Sequence, residues 1–178
     1  MSDSTRLVWL DLETTGLDPS EGVILEIAAV VTDRNLFEFA SVEHVCGHRK
    51  ELILPMMDEY VQLMHYDSGL LEEVYRSMTT VTDAMRSVMS VIEGACGTSE
   101  KPHLAGNSIS FDRGWLRAHM PDLERMFHYR LMDVSAYKVG FPSIFDTGER
   151  PGHRSMVDVR YSMSQHRKMR ALLGDYYK

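Results

Sequence analysis

The sequence predicts an α/β fold in which a mixed β-sheet is flanked by α-helices. Two apolar runs rich in β-branched residues, 7–12 and 23–31, have the length of strands. The segment GLDPSEG between them has the glycine, proline and aspartate content of a turn. Apolar residues at helical spacing follow later in the chain, and strands joined to helices by mixed connections give a sheet covered by helices.

The first half of the chain should begin with a hairpin, because the two apolar runs are joined by one long turn. A weaker third strand is expected within 36–48, and a short helix within 69–76. Between them, Pro55 opens a segment with helical spacing. The apolar residues at this helical spacing are Met57, Tyr60, Val61 and Met64.

The clearest helix of the first half follows Thr80. The segment Thr80–Asp83 resembles a capping box, in which the hydroxyl and the acid three residues later each accept a hydrogen bond from the other's backbone amide. We expect this helix to end at Gly94 or Gly97. Its apolar face is predicted to contain Ala84, Val88, Val91 and Ile92.

The second half of the chain alternates short strands with helices. KPHLAGN and HYRLMDV are typical of short strands, and the helix FDRGWLRAHM between them should end at Pro121. The stretch from Gly140 to Gly152 is rich in proline and glycine and is predicted to be a mobile loop. A final helix is expected over about 154–173. Its apolar stripe should contain Met156, Val159, Met163 and Met169.

Length and composition indicate one soluble domain, 1–178, with a core of about 6–173. Apolar runs stay well short of the roughly 20 residues that a membrane helix needs. The start of the chain, MSDSTRLVWL, resembles neither a secretory signal nor a transit peptide. Cys46 and Cys96 are too few for a disulfide framework and suit a reducing compartment. We therefore expect a cytoplasmic protein without membrane contact.

The net charge limits the kinds of ligand that the protein can bind. The formal charge is −7, from 26 acidic and 19 basic residues. Coating a long nucleic acid without regard to sequence depends on neutralising many phosphates with Lys and Arg. Any contact with nucleic acid should therefore be local.

The segment VWLDLETTG places two carboxylates at the end of its most strand-like run. Asp11 and Glu13 are two residues apart, so on a strand their side chains lie on the same face. Two like charges about 4 Å apart repel by about 4 kcal/mol at an effective dielectric of about 20. A hard divalent cation such as Mg²⁺ or Mn²⁺ would offset that repulsion. From this segment alone, an ordinary strand end with one acid on a turn remains an equal alternative.

Five blocks in order carry a resemblance to a known family. DLETTGLDP followed by ILEIAAVVTD resembles the first motif of the DEDDh 3′–5′ exonucleases, which have a ribonuclease-H-like fold. MDEYVQLMHYDSGL, HLAGNSISFDRGWL, MPDLERMFHYRLMDVSAYK and HRSMVDVRYSM extend the match, so the chain resembles oligoribonuclease over about residues 7–165. His153 and Asp158 also have the His-x4-Asp spacing of the third DEDDh motif.

The resemblance implies a catalytic set. Asp11, Glu13, Asp112 and Asp158 would bind two divalent cations, Mg²⁺ or Mn²⁺, and His153 would be the general base. The three catalytic candidates after Glu13 each have an ordinary structural explanation when taken alone. Asp112 could serve the electrostatics of a helix N-terminus, Asp158 could be a surface acid, and His153 could cap a helix.

The resemblance also implies a substrate, very short RNA down to dinucleotides, cleaved from the 3′ end to nucleoside 5′-monophosphates. Leu17 would wedge against the bases, His65 would lie near the site, and Tyr129 would reach the site of a second subunit in a homodimer. The residues that would surround the 5′ phosphate are Ser108, Arg130, Ser135 and Lys138. Taken singly, each could instead be a turn, cap, surface or core residue.

The chain departs from the family pattern in several places. VGFPSIFDTGERPG replaces a longer helix and basic loop before His153, so the lid over the site is expected to be shortened or rebuilt. Ala136 stands where a hydroxyl residue is usual, Val157 where an acid is usual, and SFDRGW lacks one arginine. These departures weaken the expectation of strict dinucleotide preference more than the expectation of nuclease activity.

Two other functions and a zinc site are the alternatives that the sequence offers. A proofreading DNA exonuclease would use the same five catalytic residues, although the HYRLMDVS and MDEY blocks favour oligoribonuclease. An inactive ribonuclease-H-like interaction module would typically lack one or more metal acids, and all four are present. A zinc site of His44, Cys46 and His48 has three ligands on one strand and no fourth, so we do not expect it.

Overall fold

The computed structural model describes residues 5–97, 101–145 and 152–174. The strands in this part of the chain form one sheet in the order β3-β2-β1-β4-β5. Neighbours β1, β2 and β3 pair antiparallel, whereas β4 pairs parallel to both β1 and β5. The strands are β1 (Leu7–Thr14), β2 (Ile24–Thr32), β3 (Glu38–Val45), β4 (His103–Gly106) and β5 (Leu131–Asp133).

Helices connect and cover the strands. Between β3 and β4 come α1 (Lys50–Ile53), a 3₁₀ turn (Leu54–Met56), α2 (Glu59–Asp67), α3 (Leu70–Arg76) and α4 (Val81–Cys96). Between β4 and β5 come α5 (Ser110–His119) and α6 (Pro121–Glu124). After β5 come α7 (Ser135–Gly140), α8 (Pro142–Phe145) and α9 (Ser155–Leu173). The predicted fold class, a mixed sheet flanked by helices, is confirmed.

Local sequence features explain where the best-predicted elements begin and end. The hairpin of β1 and β2 and the final helix form as expected. The capping box is present, because the Thr80 hydroxyl accepts from the Asp83 amide at 3.1 Å while the Asp83 carboxylate accepts from the Thr80 amide. Helix α4 ends at Gly97, and Gly94 lies inside it.

The expectation of a mobile loop from Gly140 to Gly152 is wrong for its first part. Helix α8 occupies the start of this stretch, and Phe145 is buried with its ring centroid 5.5 Å from that of Tyr137. Burial of this one aromatic side chain gives the turn an anchor that glycine and proline content does not reveal. Helix α7 was not anticipated either. Residues 146–151 lie outside the described residues.

Each face of the sheet has its own apolar core, and strand β1 contributes to both. Val8, Leu10 and Leu12 pack with residues of α4 and α5, including Val88 and Trp115. The alternate residues Leu7 and Trp9 pack on the opposite face, where Val159 and Met163 of α9 cover them. Because strand side chains alternate between faces, Asp11 and Glu13 continue the row that faces α9.

The parallel pairing of β1 with β4 brings distant segments to one edge of the sheet. Both strands run towards the same edge, where β1 ends in its acidic residues and β4 leads into α5. At this edge Gly106 lies so close to β1 that an added Cβ would be 2.8 Å from the carbonyl oxygen of Leu10. Glycine therefore permits the close approach of the two backbones.

Among the described residues, no helix is long and apolar enough to cross a bilayer.

Two glycine substitutions should have opposite effects on stability. Gly106→Ala should destabilise the protein by about 1–3 kcal/mol, because the new methyl group would overlap a backbone carbonyl of β1. Gly114→Ala is the matched control, since Gly114 lies inside α5 with open space around its Cβ position and alanine is the better helix former. Urea denaturation measures both, and a stable Gly106→Ala protein would contradict the close approach.

Candidate active site

Three carboxylates meet at the end of β1. Oxygen atoms of Asp11, Glu13 and Asp158 lie within 4.8 Å of one another. Asp11 and Glu13 come from the α9-facing row of β1, and Asp158 comes from the first turn of α9 itself. Packing α9 on this face of the sheet is therefore what brings the third acid to the first two.

Asp112 joins this group from the other side of β1. It lies in the first turn of α5, and its Oδ1 accepts a hydrogen bond from the Leu12 amide at 3.0 Å. Since Leu12 is the residue between Asp11 and Glu13, this bond holds the backbone that carries both acids. Asp112 is outside the group of three mutually close carboxylates, but its charge is the largest electrostatic contribution to the raised pKa of Asp11, after burial.

Burial and mutual repulsion raise the pKa values of all four acids. Burial, followed by the charges of Asp112 and Asp158, raises the pKa of Asp11 well above its ordinary value. The pKa of Glu13 rises to about 8, mainly by burial, and that of Asp112 to about 7, again mainly by burial. Burial also raises the pKa of Asp158. Without a cation, Glu13 therefore holds a proton over much of the neutral pH range, and burial favours the protonated form of the other three acids as well.

His65 closes one side of the group. Its ring is fully buried, and Nε2–H donates to the Thr14 carbonyl at 2.9 Å. Nδ1 then carries a lone pair, makes no hydrogen bond, and lies 3.8 Å from Oε2 of Glu13. Burial lowers the pKa of His65, so the ring is neutral and two acceptors face each other. This arrangement requires a proton or a cation nearby.

The side chains at this point fit a hard divalent cation. Carboxylate oxygens are the ligands preferred by Mg²⁺ and Mn²⁺. The three close acids supply such oxygens from two packed elements, strand β1 and helix α9. The uncompensated repulsion and the unpartnered Nδ1 of His65 are both relieved by positive charge. The acidic cluster therefore indicates use of a divalent metal.

His153 lies at the mouth of the site. It is half-buried, has a left-handed backbone with φ of 50°, and lines a cleft of about 370 Å³. It is close enough to Asp158 that its positive charge opposes the effect of burial on the pKa of that acid. The same charge acts to lower the pKa of His65, in addition to burial. The structure thus brings His153 together with the predicted acids.

Tyr60 is a cleft residue that the sequence pattern misplaced. The helical spacing put it with Met57 and Val61, but its side chain is 65% exposed and lines the cleft with His153. Of that predicted set, Met57 is buried, whereas Val61 and Met64 are half-buried. The weak amphipathic pattern of this helix could not distinguish a tyrosine that faces the core from one that faces a cleft.

Asp133 organises two of the predicted phosphate-site residues. Its Oδ1 accepts from the Ser108 amide at 3.0 Å, the Ser135 amide at 2.9 Å and the Ser135 hydroxyl at 2.6 Å. Ser108 has a left-handed backbone, with φ of 53°, which these contacts hold in place. Asp133 is not among the predicted site residues, although an acid at a strand end with a serine two residues later is a common turn arrangement.

The remaining predicted substrate residues are less tightly held. Lys138 is half-buried with Nζ 5.4 Å from the centre of the Tyr161 ring, and its charge also acts to lower the pKa of Asp158. Arg130 packs on Tyr129, which is 72% exposed just before β5. Leu17 is 85% exposed on the turn after β1. Exposure leaves Arg130, Tyr129 and Leu17 available to a ligand, whereas Lys138 is half-buried.

The zinc site that the sequence offered on β3 and just beyond it consists of His44, Cys46 and His48. In the structure these residues have other surroundings. The His44 ring is hydrogen-bonded to the Ser87 hydroxyl at 2.8 Å, and His48 donates to the Ile24 carbonyl at 2.8 Å. Cys46 is fully buried, and burial raises the pKa of its thiol to about 12. A thiol that stays protonated is a poor zinc ligand.

Comparison with protein families and curated proteins gives one consistent result. The exonuclease family RNase T matches residues 8–165. The oligoribonuclease of Corynebacterium glutamicum (strain R) is 39% identical over 166 residues, which cover 90% of this chain and 76% of that protein. The oligoribonuclease of Shewanella loihica is 36% identical over 174 residues, which cover 95% of this chain and 96% of that protein.

Solved structures show the same fold at low sequence identity. Escherichia coli exonuclease I in complex with a 5cy-dA13 oligonucleotide has a TM-score of 0.68 and 15% identity, over 97% of this chain and 42% of that one. The zinc-bound exonuclease I–ssDNA complex has a TM-score of 0.70 and 14% identity, with the same coverage. This chain thus spans less than half of exonuclease I, and the likeness concerns the fold alone.

The metal-free protein should become less stable as the pH rises from about 5 to 8. A carboxyl whose pKa is raised by folding stabilises the folded state fully below its unfolded pKa, and this contribution is lost as pH rises through its folded pKa. For Glu13 that window runs from the ordinary 4.5 to about 8. Thermal unfolding in a chelator should show the fall, and added Mg²⁺ should raise the midpoint more at high pH than at low pH.

Glu13→Gln is the matched control for this pH dependence, because it keeps the shape of the side chain and removes one titrating group. Its melting temperature in chelator should depend less on pH than that of the unmodified protein. A midpoint that rises with pH in chelator, or a Mg²⁺ effect that is the same at all pH values, would contradict the electrostatic description of the site.

Proposed function

The chain belongs to the oligoribonuclease family of exonucleases and is a 3′–5′ exoribonuclease, and from this premise we propose that its substrates are very short RNA oligonucleotides, down to dinucleotides. The products are nucleoside 5′-monophosphates. The observation that carries the proposal is the convergence of Asp11, Glu13 and Asp158 beside His65 and His153. Metal-assisted hydrolysis of a phosphodiester uses a group of this kind, in which cation-binding acids lie next to a base.

We propose that His153 is the general base and that the four acids bind two cations, Mg²⁺ or Mn²⁺. Cations held there would supply positive charge to the attacking and leaving oxygens and to the scissile phosphate. His153 accepts the proton of the attacking water as its oxygen bonds to phosphorus, and the bond from phosphorus to the 3′ oxygen breaks.

The local placement of basic groups supports a short substrate. The net charge of −7 disfavours a long phosphate track, so binding must depend on contacts with one or two nucleotides. We propose that Arg130 and Lys138, with Ser108 and Ser135, surround the terminal 5′ phosphate. The hydrogen bonds from both serine amides to one carboxylate support this, because they fix the two serines relative to each other.

Apolar contacts would hold the bases. Leu17 is highly exposed on the turn that follows β1, and Tyr60 is exposed in the cleft that contains His153. We propose that both contact the substrate bases, since stacking and apolar contact give affinity that is tolerant of sequence. Tyr129 would complete the site of a second subunit in a homodimer, and its exposure in a single chain supports that role.

The alternative functions are less well supported. A DNA exonuclease of the proofreading type would use the same five catalytic residues, but the solved DNA-bound exonuclease structures are only 14–15% identical to this chain, whereas curated oligoribonucleases are 36–39% identical. An inactive module would not need four acids with raised pKa values. We further propose that residues 1–178 act as one exonuclease domain in the cytoplasm.

A length-resolved cleavage assay tests the proposed substrate. A 5′-labelled RNA dinucleotide should be hydrolysed faster than a longer RNA, and both faster than DNA of the same sequence. Asp112→Asn should be inactive and serves as the control for contaminating nucleases. This variant keeps an oxygen for the Leu12 amide while it removes the charge. Dominant cleavage of DNA would overturn the substrate assignment.

Tyr129→Ala tests the second subunit's contribution. If a homodimer supplies Tyr129 in trans, this variant should remain dimeric by light scattering and lose activity on dinucleotides by about 10-fold or more. Mixing it with inactive Asp112→Asn should restore part of the activity, because one mixed site then has both intact residues. A monomeric enzyme of full activity would contradict the proposal.

A further inference from the structure

We propose that Arg154, clamped between Glu26 of β2 and Glu73 of α3, is a positioning residue for the general base His153. The proposal rests on the role proposed above for His153. Arg154 is the next residue in the chain, and neither it nor its two carboxylate partners belongs to the set of acids that would bind metal. Arg154, Glu26 and Glu73 together form the Arg154 clamp.

The inner half of the Arg154 clamp is a buried carboxylate in the centre of the sheet. Glu26 has no exposed surface and pairs across the strands with Glu13. Its Oε1 accepts from Nε of Arg154 at 3.0 Å and from Nη2 at 2.7 Å. Its Oε2 accepts from the Ser155 amide at 2.7 Å. One carboxylate thus holds the side chain of one residue and the backbone of the next, directly after His153.

The outer half of the Arg154 clamp comes from α3. Nη1 of Arg154 donates to Oε1 of Glu73 at 2.8 Å, and Nη2 donates to Oε2 at 2.9 Å, which is a two-pronged contact. All three guanidinium nitrogens are therefore engaged. Only the planar fork of arginine can hold two carboxylates in this way, because lysine presents a single ammonium. The clamp joins β2, α3 and the start of α9.

The local backbone explains why His153 requires such support. His153 has φ of 50°, which is a left-handed conformation that non-glycine residues adopt rarely. Such a conformation persists only where the surroundings determine it, and the contacts of Arg154 and Ser155 lie one and two residues further on. In addition, α9 has no side-chain cap from its own N-cap residue, Arg154. Glu26 supplies the missing acceptor from the sheet.

The alternative is that the Arg154 clamp only stabilises the fold. Glu26 is a buried charge, and any buried charge needs a partner whether or not a base stands nearby. The two roles differ in what the loss of Arg154 does when His153 is already absent. A positioning residue then has little left to act on, whereas a purely structural residue has the same effect as before.

A double-mutant cycle on RNA dinucleotide hydrolysis separates these roles. His153→Ala should lower kcat by about 10²–10⁴-fold, as expected for loss of a general base. Arg154→Lys should lower kcat by about 10-fold with KM nearly unchanged, because the substrate contacts are intact. In the His153→Ala background, Arg154→Lys should lower kcat by less than about 2-fold.

A milder variant covers the case in which Arg154→Lys fails to fold. Glu73→Gln leaves the buried pair with Glu26 intact and weakens only the outer half of the Arg154 clamp. It should lower kcat by a few-fold, again only when His153 is present. The matched control is Glu72→Gln, the neighbouring residue on α3. Glu72 is exposed and bonds to Arg76 at 2.9 Å, so kcat should not change.

The outcomes separate the inference from the function on which it rests. If Arg154→Lys and Glu73→Gln lower kcat equally with and without His153, or not at all, the positioning role is overturned while the proposed base stands. If His153→Ala keeps the rate of the unmodified enzyme, both the base and its positioning residue are overturned. Thermal melting of every variant shows whether a loss of rate comes from unfolding.

Discussion

The central physical constraint on this molecule is the concentration of negative charge at one end of a buried strand. Four carboxyls and the buried Glu26 lie around the end of β1, where little water can screen them. Folding therefore works against their mutual repulsion. Arg154 compensates the charge of Glu26, and the close oxygens of Asp11, Glu13 and Asp158 are a group that could hold a cation. An arrangement this unfavourable without ligand is typical of sites kept for chemistry.

Strand periodicity and turn composition were sufficient to predict the parts of the fold that depend on local sequence. The β1–β2 hairpin, the Thr80 capping box and α9 each have a local cause, whether alternation, a hydroxyl–acid pair or an apolar stripe. Helix α8 has no such cause, because it depends on the burial of Phe145 against Tyr137. Tertiary contacts of this kind are not written in the spacing of the residues around them.

The candidate site also has residues that the sequence predicts and residues that only the structure reveals. Motif resemblance singled out the four acids and His153, and the structure brings them together at one edge of the sheet. The residues that hold them were not found, because Glu26, Arg154 and Asp133 look like ordinary surface charges in the sequence. Each acts through a hydrogen bond to a residue far away in the sequence. Arg154 and Glu26 are 128 residues apart, and Ser108 and Asp133 are 25 apart. Only the fold reveals such pairs.

The distances along the chain between bonded partners have a consequence for how the protein matures. Asp112 is bonded to a residue 100 positions earlier, and Glu26 to a backbone amide 129 positions later. Closing such long loops is entropically costly and slow, whereas the hairpin needs only local contacts. A chain still emerging from the ribosome therefore has Asp11 and Glu13 early, but the acidic cluster is complete only when α9 docks and brings Asp158 to them.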